Sequence, residues 1–241
     1  MTWKFWHTAA LALVLTVVPA PATLSEEPPP CLKDTMLVFD ASGSMGTTDF
    51  TAKLPHIERV KQAMRQVVPE IPAERRLGLI VYGQGAYNRC DSIELKLKPE
   101  RNSGPVILEE VNRITPAGRT PLTESVSRAA EVLDISEKPS IIVLLTDGEE
   151  TCGGKPCEVA RQLKRAGKDL TIHVIGYRHK EAGGLSDTFG ARCMAEETGG
   201  LYISVETVDQ LTEALRKTLT CPLFSDATPP LLPLMRGSSS E

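Results

Sequence analysis

Apolar and polar positions fall into short blocks along the chain, and the blocks alternate in period. Residues 35–39 (TMLVF) form a bounded apolar run, which predicts a strand buried on both faces. Ile57, Val60, Met64, Val67 and Val68 then recur at helical spacing, and Pro69 ends that helix. Residues 77–82 (LGLIVY) predict a second strand, and Ile93, Leu95 and Leu97 alternate with polar residues as an edge strand does. Helical stripes follow over 106–114 and 122–133, and residues 140–145 (SIIVLL) are apolar enough for a central strand. The pattern continues with a helix over 159–166, a strand over 170–175, and a helix over 186–197 closed by Gly199-Gly200. A last strand over 201–205 precedes a helix marked by Leu211, Leu215 and Leu219. Strands alternating with helices predict an α/β fold: a doubly wound, mostly parallel sheet covered by helices on both faces.

The two ends of the chain break this pattern. Lys4, the apolar stretch 9–18 and Ala20-Pro21-Ala22 have the order of a signal peptide over 1–22, with Thr23 starting the mature chain. The apolar stretch is short for a bilayer span of ~20 residues, so cleavage is expected and no stable membrane span after it. Residues 23–30 (TLSEEPPP) read as a Pro-rich lead-in, and 222–241 as a disordered tail. One folded domain is left over 31–221, in a periplasmic or secreted protein. Without Lys4 the chain has 26 basic against 31 acidic side chains. An acidic balance with no dense basic run and few aromatics argues against nucleic-acid binding and against sugar stacking.

In a doubly wound sheet, ligands bind beyond the carboxyl ends of the strands. The first strand runs into Asp40, Ser42 and Ser44, and the central strand into Thr146, Asp147 and Gly148. Thr120 precedes Pro121-Leu122 at the start of a helix. Asp40, Ser42, Ser44, Thr120 and Asp147 offer only hard oxygen ligands, which suit Mg²⁺, Ca²⁺ or Mn²⁺ rather than zinc or copper. Three hydroxyls and two carboxylates can make an octahedral site with water filling the gaps. If the carboxylates ligate partly through water, the ion stays electrophilic enough to take one more carboxylate from a partner.

Each segment also has a plainer reading. Ser42-Gly43-Ser44 and Asp147-Gly148 suit turns, and Thr120 before Pro121 suits a helix cap. Glu149 and Glu150 read as a solvated loop beside the site. Tyr82-Gly83-Gln84-Gly85 follows the second strand and is expected on the rim. Enzyme readings compete for the same loop: a hydrolase or phosphatase using Asp40 and Ser44. A serine hydrolase would need Gly-x-Ser-x-Gly, and the position two residues before Ser44 is Ser42 rather than glycine. A triad of Ser44, Asp147 and His179 has a workable chain order, whereas His173 falls inside a strand.

Asp40-x-Ser42-x-Ser44, Thr120 before Pro121-Leu122, and Asp147-Gly148 after an apolar strand together resemble the metal-ion-dependent adhesion site of von Willebrand factor type A domains. The resemblance covers 31–221. It implies a six-stranded sheet with one antiparallel edge strand, a bound Mg²⁺ and ligand binding on that face, with a binding module rather than an enzyme as the leading expectation. It further implies a protein partner that supplies a carboxylate. Residues 149–157 (EETCGGKPC) and 192–196 (RCMAE) make the chain resemble the bacterial exported type of these domains.

The six cysteines behind a signal peptide favour disulfides over a zinc site. Cys31 and Cys221 bracket the folded domain, whose ends are expected to lie close together, so they are expected to pair. Cys152 and Cys157 are expected to close a short loop across Gly153-Gly154, leaving Cys90 with Cys193.

Overall fold

The computed structural model describes residues 32–48, 53–177 and 190–220. The segments read as signal peptide, lead-in and tail lie outside the described residues, as do Cys31, Cys221 and His179. The strands are β1 (Asp34–Asp40), β2 (Leu77–Tyr82), β3 (Ile93–Glu100), β4 (Ser140–Thr146), β5 (Leu170–Tyr177) and β6 (Tyr202–Val205). The helices are α1 (His56–Val67), α2 (Gly104–Arg113), α3 (Leu122–Leu133), α4 (Pro156–Ala166), α5 (Arg192–Thr198) and α6 (Val208–Leu219).

The strands form one sheet in the order β3-β2-β1-β4-β5-β6. All neighbours run parallel except β2 and β3, so β3 is the antiparallel edge expected from its alternating pattern. Strand side chains alternate between the faces, and each face has its own helices. Leu37 and Phe39 of β1 and Val143 and Leu145 of β4 pack with α1, α2 and α6. Met36 and Val38 of β1 and Ile142 and Leu144 of β4 pack with α3, α4 and α5. Both faces are therefore dry, which is why β1 and β4 are buried at every residue and read as continuous apolar runs.

This order places the topological switch between β1 and β4. The connection leaving β1 turns towards β2, and the one leaving β4 turns towards β5, so the loops after β1 and β4 diverge from one crevice. Two boundaries bear on the sequence expectation. Of the helix expected over 186–197, the described part is α5, preceded by a turn at 190–191, and 186–189 lie outside the described residues. In α3 the helix begins at Leu122, and no Thr120 side-chain bond caps it.

Candidate metal centre

The loops around the switch point are tied to one another through backbone. Ala41 N–H donates to the Tyr82 carbonyl at 2.8 Å, continuing the β1–β2 ladder past the strand end. Gly43 N–H donates to the Gly118 carbonyl at 2.9 Å, and Gly118 N–H to the Gly83 carbonyl at 2.6 Å. Gly83 has a φ of +82°, and a Cβ there would meet the Ser42 nitrogen at 2.6 Å and the Arg119 carbonyl oxygen at 2.9 Å. Glycine is needed at this position on both counts. Of the stretch 82–85 expected on the rim, Tyr82 and Gly83 are buried and none lines the groove formed by Ser42, Ser44 and Thr120; Gly83 is instead the support on which the β1 loop and the Thr120 segment rest.

On this frame the sequence-nominated side chains meet. Asp40 ends β1 with no exposure. Its carboxylate accepts from Ser42 N–H at 2.7 Å and from the Thr146 hydroxyl at 2.6 Å. Residues Gly43–Gly46 coil into a 3-10 turn, and this brings Ser44 Oγ to 3.0 Å from Ser42 Oγ. The Ser44 hydroxyl donates to Asp147 Oδ1 at 2.5 Å. Thr120 is buried, and its Oγ1 shares a neighbour with Ser44. A Cβ on Gly148 would lie 3.4 Å from Ser44 Oγ and 3.9 Å from Thr120 Oγ1. Ser42, Ser44 and Thr120 line one groove of about 470 Å³, with Tyr87, Arg119 and Thr151 on its wall.

The spacing and chemistry of these donors suit a divalent ion. Two ligands at right angles around an ion at ~2.1 Å stand about 3.0 Å apart, which is the spacing of Ser42 Oγ and Ser44 Oγ. Gly148 leaves open the space a side chain would fill. Among the described residues, neither Asp40 nor Asp147 forms an ion pair with a lysine or arginine. Burial, and then the facing Asp147 carboxylate, push the Asp40 pKa up to about 6. Two buried carboxylates set against one another and flanked by hydroxyls suit a hard cation, which would relieve their repulsion. The residues present therefore fit the ion implied by the sequence resemblance.

Two contributors were not visible in the sequence. His56, the first residue of α1, places Nδ1 2.9 Å from Asp147 Oδ2, and its ring meets Tyr177 edge-on with centroids 5.3 Å apart. An ionised carboxylate only accepts, so Nδ1 carries the proton. Asp147 thus lies between Ser44 and His56. In a serine-hydrolase arrangement the imidazole would lie between serine and carboxylate instead. Glu150 is the second contributor, and it corrects the expectation of a solvated pair. One carboxylate oxygen accepts from Thr123 N–H and hydroxyl, both at 2.8 Å, and the other from Cys152 N–H at 2.6 Å. A residue from the β4–α4 loop therefore caps α3, the role expected of Thr120. Glu149 is exposed and accepts from Gly190 N–H at 3.3 Å.

The disulfides also depart from expectation. Cys152 pairs with Cys90, not Cys157, at a Cα separation of 5.7 Å. Cys157 pairs with Cys193, which in turn is not bonded to Cys90, at a Cα separation of 5.4 Å. The reason lies in α4. Pro156 starts the helix, so Cys157 belongs to its first turn and turns towards the packed α5, where Cys193 sits. Cys152 stays in the loop beside the β2–β3 connection that carries Cys90. The Cys31–Cys221 expectation lies outside the described residues.

Comparison with known proteins agrees with this architecture. A family model described as von Willebrand factor type A domain matches residues 34–217. Two curated proteins of Bacillus subtilis (strain 168), both described as uncharacterized, are similar. YwmD is 26% identical over 191 residues, covering 75% of this chain and 82% of its own. YwmC is 28% identical over 181 residues, covering 71% and 76%. Among solved structures, proximal thread matrix protein 1 from the mussel byssus, with a zinc-occupied MIDAS motif, superposes with a TM-score of 0.56 at 20% identity. That match covers 78% of this chain but only 46% of the mussel chain. The manganese-loaded Plasmodium vivax TRAP protein superposes with a TM-score of 0.54 at 18% identity, covering 79% of this chain and 74% of its own. A matched family model over most of the folded residues, on a six-stranded sheet with one antiparallel edge, shows that the chain belongs to the von Willebrand factor type A domain family.

Proposed function

We propose that the chain is a divalent-metal-dependent protein-binding module of the adhesion or complex-assembly type, working outside the cytoplasm in the periplasm or as a secreted protein. Asp40, Ser42, Ser44, Thr120 and Asp147 would hold Mg²⁺, Ca²⁺ or Mn²⁺. The observation that carries this reading is the chain of contacts from buried Asp40 through Ser42 and Ser44 to Asp147, closed beside Thr120 by the bare Gly148. The zinc and manganese described for the mussel and Plasmodium structures support a divalent ion without selecting one. When bound, the ion supplies a Lewis-acidic position for a carboxylate oxygen. Ser42, Ser44 and Thr120 contribute neutral oxygens, so only Asp40 and Asp147 offset the ionic charge. A site with so few anionic ligands favours an acidic side chain on a partner protein. Asp40 and Asp147 are held by hydroxyls and by His56, with no nucleophile–imidazole pair among the described residues, and this supports a binding role over catalysis.

Titration calorimetry with a capped aspartate peptide tests the reading. Binding is expected in Mg²⁺, and it should disappear in EDTA and in Thr120→Ala with the fold intact. Peptide binding that is the same in Mg²⁺ and EDTA would overturn it.

A further inference from the structure

The groove extends past Ser42, Ser44 and Thr120, and its outer wall has its own chemistry. Tyr87 is 81% exposed, the most exposed large hydrophobic side chain among the described residues. An aromatic ring left in solvent forgoes apolar burial, and at the mouth of a site it offers a rigid contact surface at little entropic cost. Its loop is tied down at several points. Gly83 N–H donates to the Ser92 carbonyl at 2.9 Å, and Arg89 N–H to the Ala86 carbonyl at 3.1 Å. The Cys90–Cys152 bridge then joins this loop to the one following β4. The same β4 loop orients Arg119. One amino group of its guanidinium donates to the Thr151 carbonyl at 3.0 Å, while Thr120 N–H donates to the Thr151 hydroxyl at 2.8 Å.

Charge decides what this wall can receive. Arg119 is exposed and has no carboxylate partner among the described residues. The nearby acidic side chains among the described residues do not compensate it. Glu150 is turned inward to cap α3, and Glu149 points to Gly190. In the neighbouring β2–β3 loop, Asp91 is already paired with Arg89. A divalent ion would offset Asp40 and Asp147, so Arg119 would remain a positive charge with no carboxylate among the described residues to offset it.

We infer that the groove selects an acidic peptide segment bearing two carboxylates, one for the ion and a second for the Arg119 guanidinium, with Tyr87 packing against the segment between or beside them. This rests on the metal-dependent reading above. Arg119 and Tyr87 act as specificity determinants, and the ion-holding residues are separate from them. A guanidinium whose orientation is fixed by one backbone bond presents its remaining N–H groups in the fork that matches a carboxylate. A single-carboxylate ligand would use the ion alone and leave this fork to water.

The test uses the mature chain and capped peptides containing one aspartate, or two aspartates separated by zero, one or two glycines, titrated in Mg²⁺ by calorimetry. At least one two-aspartate peptide is expected to bind about tenfold more tightly than the one-aspartate peptide, the scale of a charge-assisted contact. Arg119→Gln should remove that preference and leave one-aspartate binding within about twofold, and Arg119→Lys should retain part of it. Tyr87→Ala should weaken one- and two-aspartate peptides alike. Equal affinity of the wild type for both peptide classes, or an undiminished preference in Arg119→Gln, would overturn the inference. The Mg²⁺-induced melting shift, measured on each variant, separates the two failures. A wild type that Mg²⁺ does not stabilise refutes the metal-dependent reading itself, and normal stabilisation without peptide preference refutes only the role of Arg119.

Discussion

Asp147 depends on two neighbours for its aim. Ser44 holds Oδ1 at 2.5 Å and His56 holds Oδ2 at 2.9 Å, so the carboxylate plane is fixed before any ligand arrives. Outer partners of metal-ligating groups commonly contribute about 10- to 100-fold in affinity. His56→Ala is therefore expected to weaken Mg²⁺ binding by about tenfold, read by calorimetry, with little change in the far-ultraviolet spectrum. Unchanged affinity would show that Asp147 is positioned by backbone alone. A second residue-scale case lies away from the site. His173 Nδ1 accepts the Leu201 N–H at 3.0 Å, which requires a neutral ring. Burial, then the Arg75 charge, push its pKa down from 6.5 to about 4. The unfolded chain takes up this proton near pH 6.5 and the folded chain only near pH 4. The contribution is complete above about pH 6.5 and is lost as pH falls through that window, by up to about 3 kcal/mol. Urea unfolding at about pH 7 and about pH 4.5 should show a smaller loss in His173→Gln than in the wild type. Identical losses would remove His173 from the account.

At the scale of elements, the site is held by caps and crossings between loops. Glu150 joins the β4–α4 loop to the start of α3, and the loss of such a cap costs ~1–2 kcal/mol. Glu150→Ala is expected to lower stability by about this much, and Glu150→Gln by less, because an amide oxygen still accepts from Thr123. Equal unfolding midpoints for wild type and Glu150→Ala would contradict the capping role. The same elements show what could be read from the sequence. Each strand carried its own apolar signature, and a parallel arrangement followed from the intervening helices. Asp40, Ser42, Ser44 and Asp147 could be nominated because they end β1 or closely follow β1 and β4. His56 and Glu150 could not, since their partners are 91 and 27 residues away and no local period marks them. The cysteines failed for a related reason. Sequence proximity favoured Cys152–Cys157, whereas the α4 start at Pro156 turned Cys157 towards α5.

For the whole molecule, two bridges among the described residues tie separate elements together: Cys90–Cys152 joins the loops beside the groove, and Cys157–Cys193 joins α4 to α5. Cys90–Cys152 closes a separation of 62 residues, worth up to about 4 kcal/mol in the chain-entropy model. Non-reducing peptide mapping is expected to yield Cys90–Cys152 and Cys157–Cys193, and it would decide the Cys31–Cys221 pairing as well. A recovered Cys152–Cys157 peptide would contradict the arrangement of the β4–α4 loop. The central claim, a divalent ion held by Asp40 and its hydroxyl neighbours, is tested most directly by thermal unfolding of wild type and Asp40→Ala in Mg²⁺ and in EDTA. An ion at about 100 times its dissociation constant stabilises the native state by about 2.7 kcal/mol, which raises Tm by roughly 5–10 °C in a domain of this size. The wild type should show that rise and Asp40→Ala should show none, whereas equal shifts in the two proteins, or no shift in either, would contradict the site.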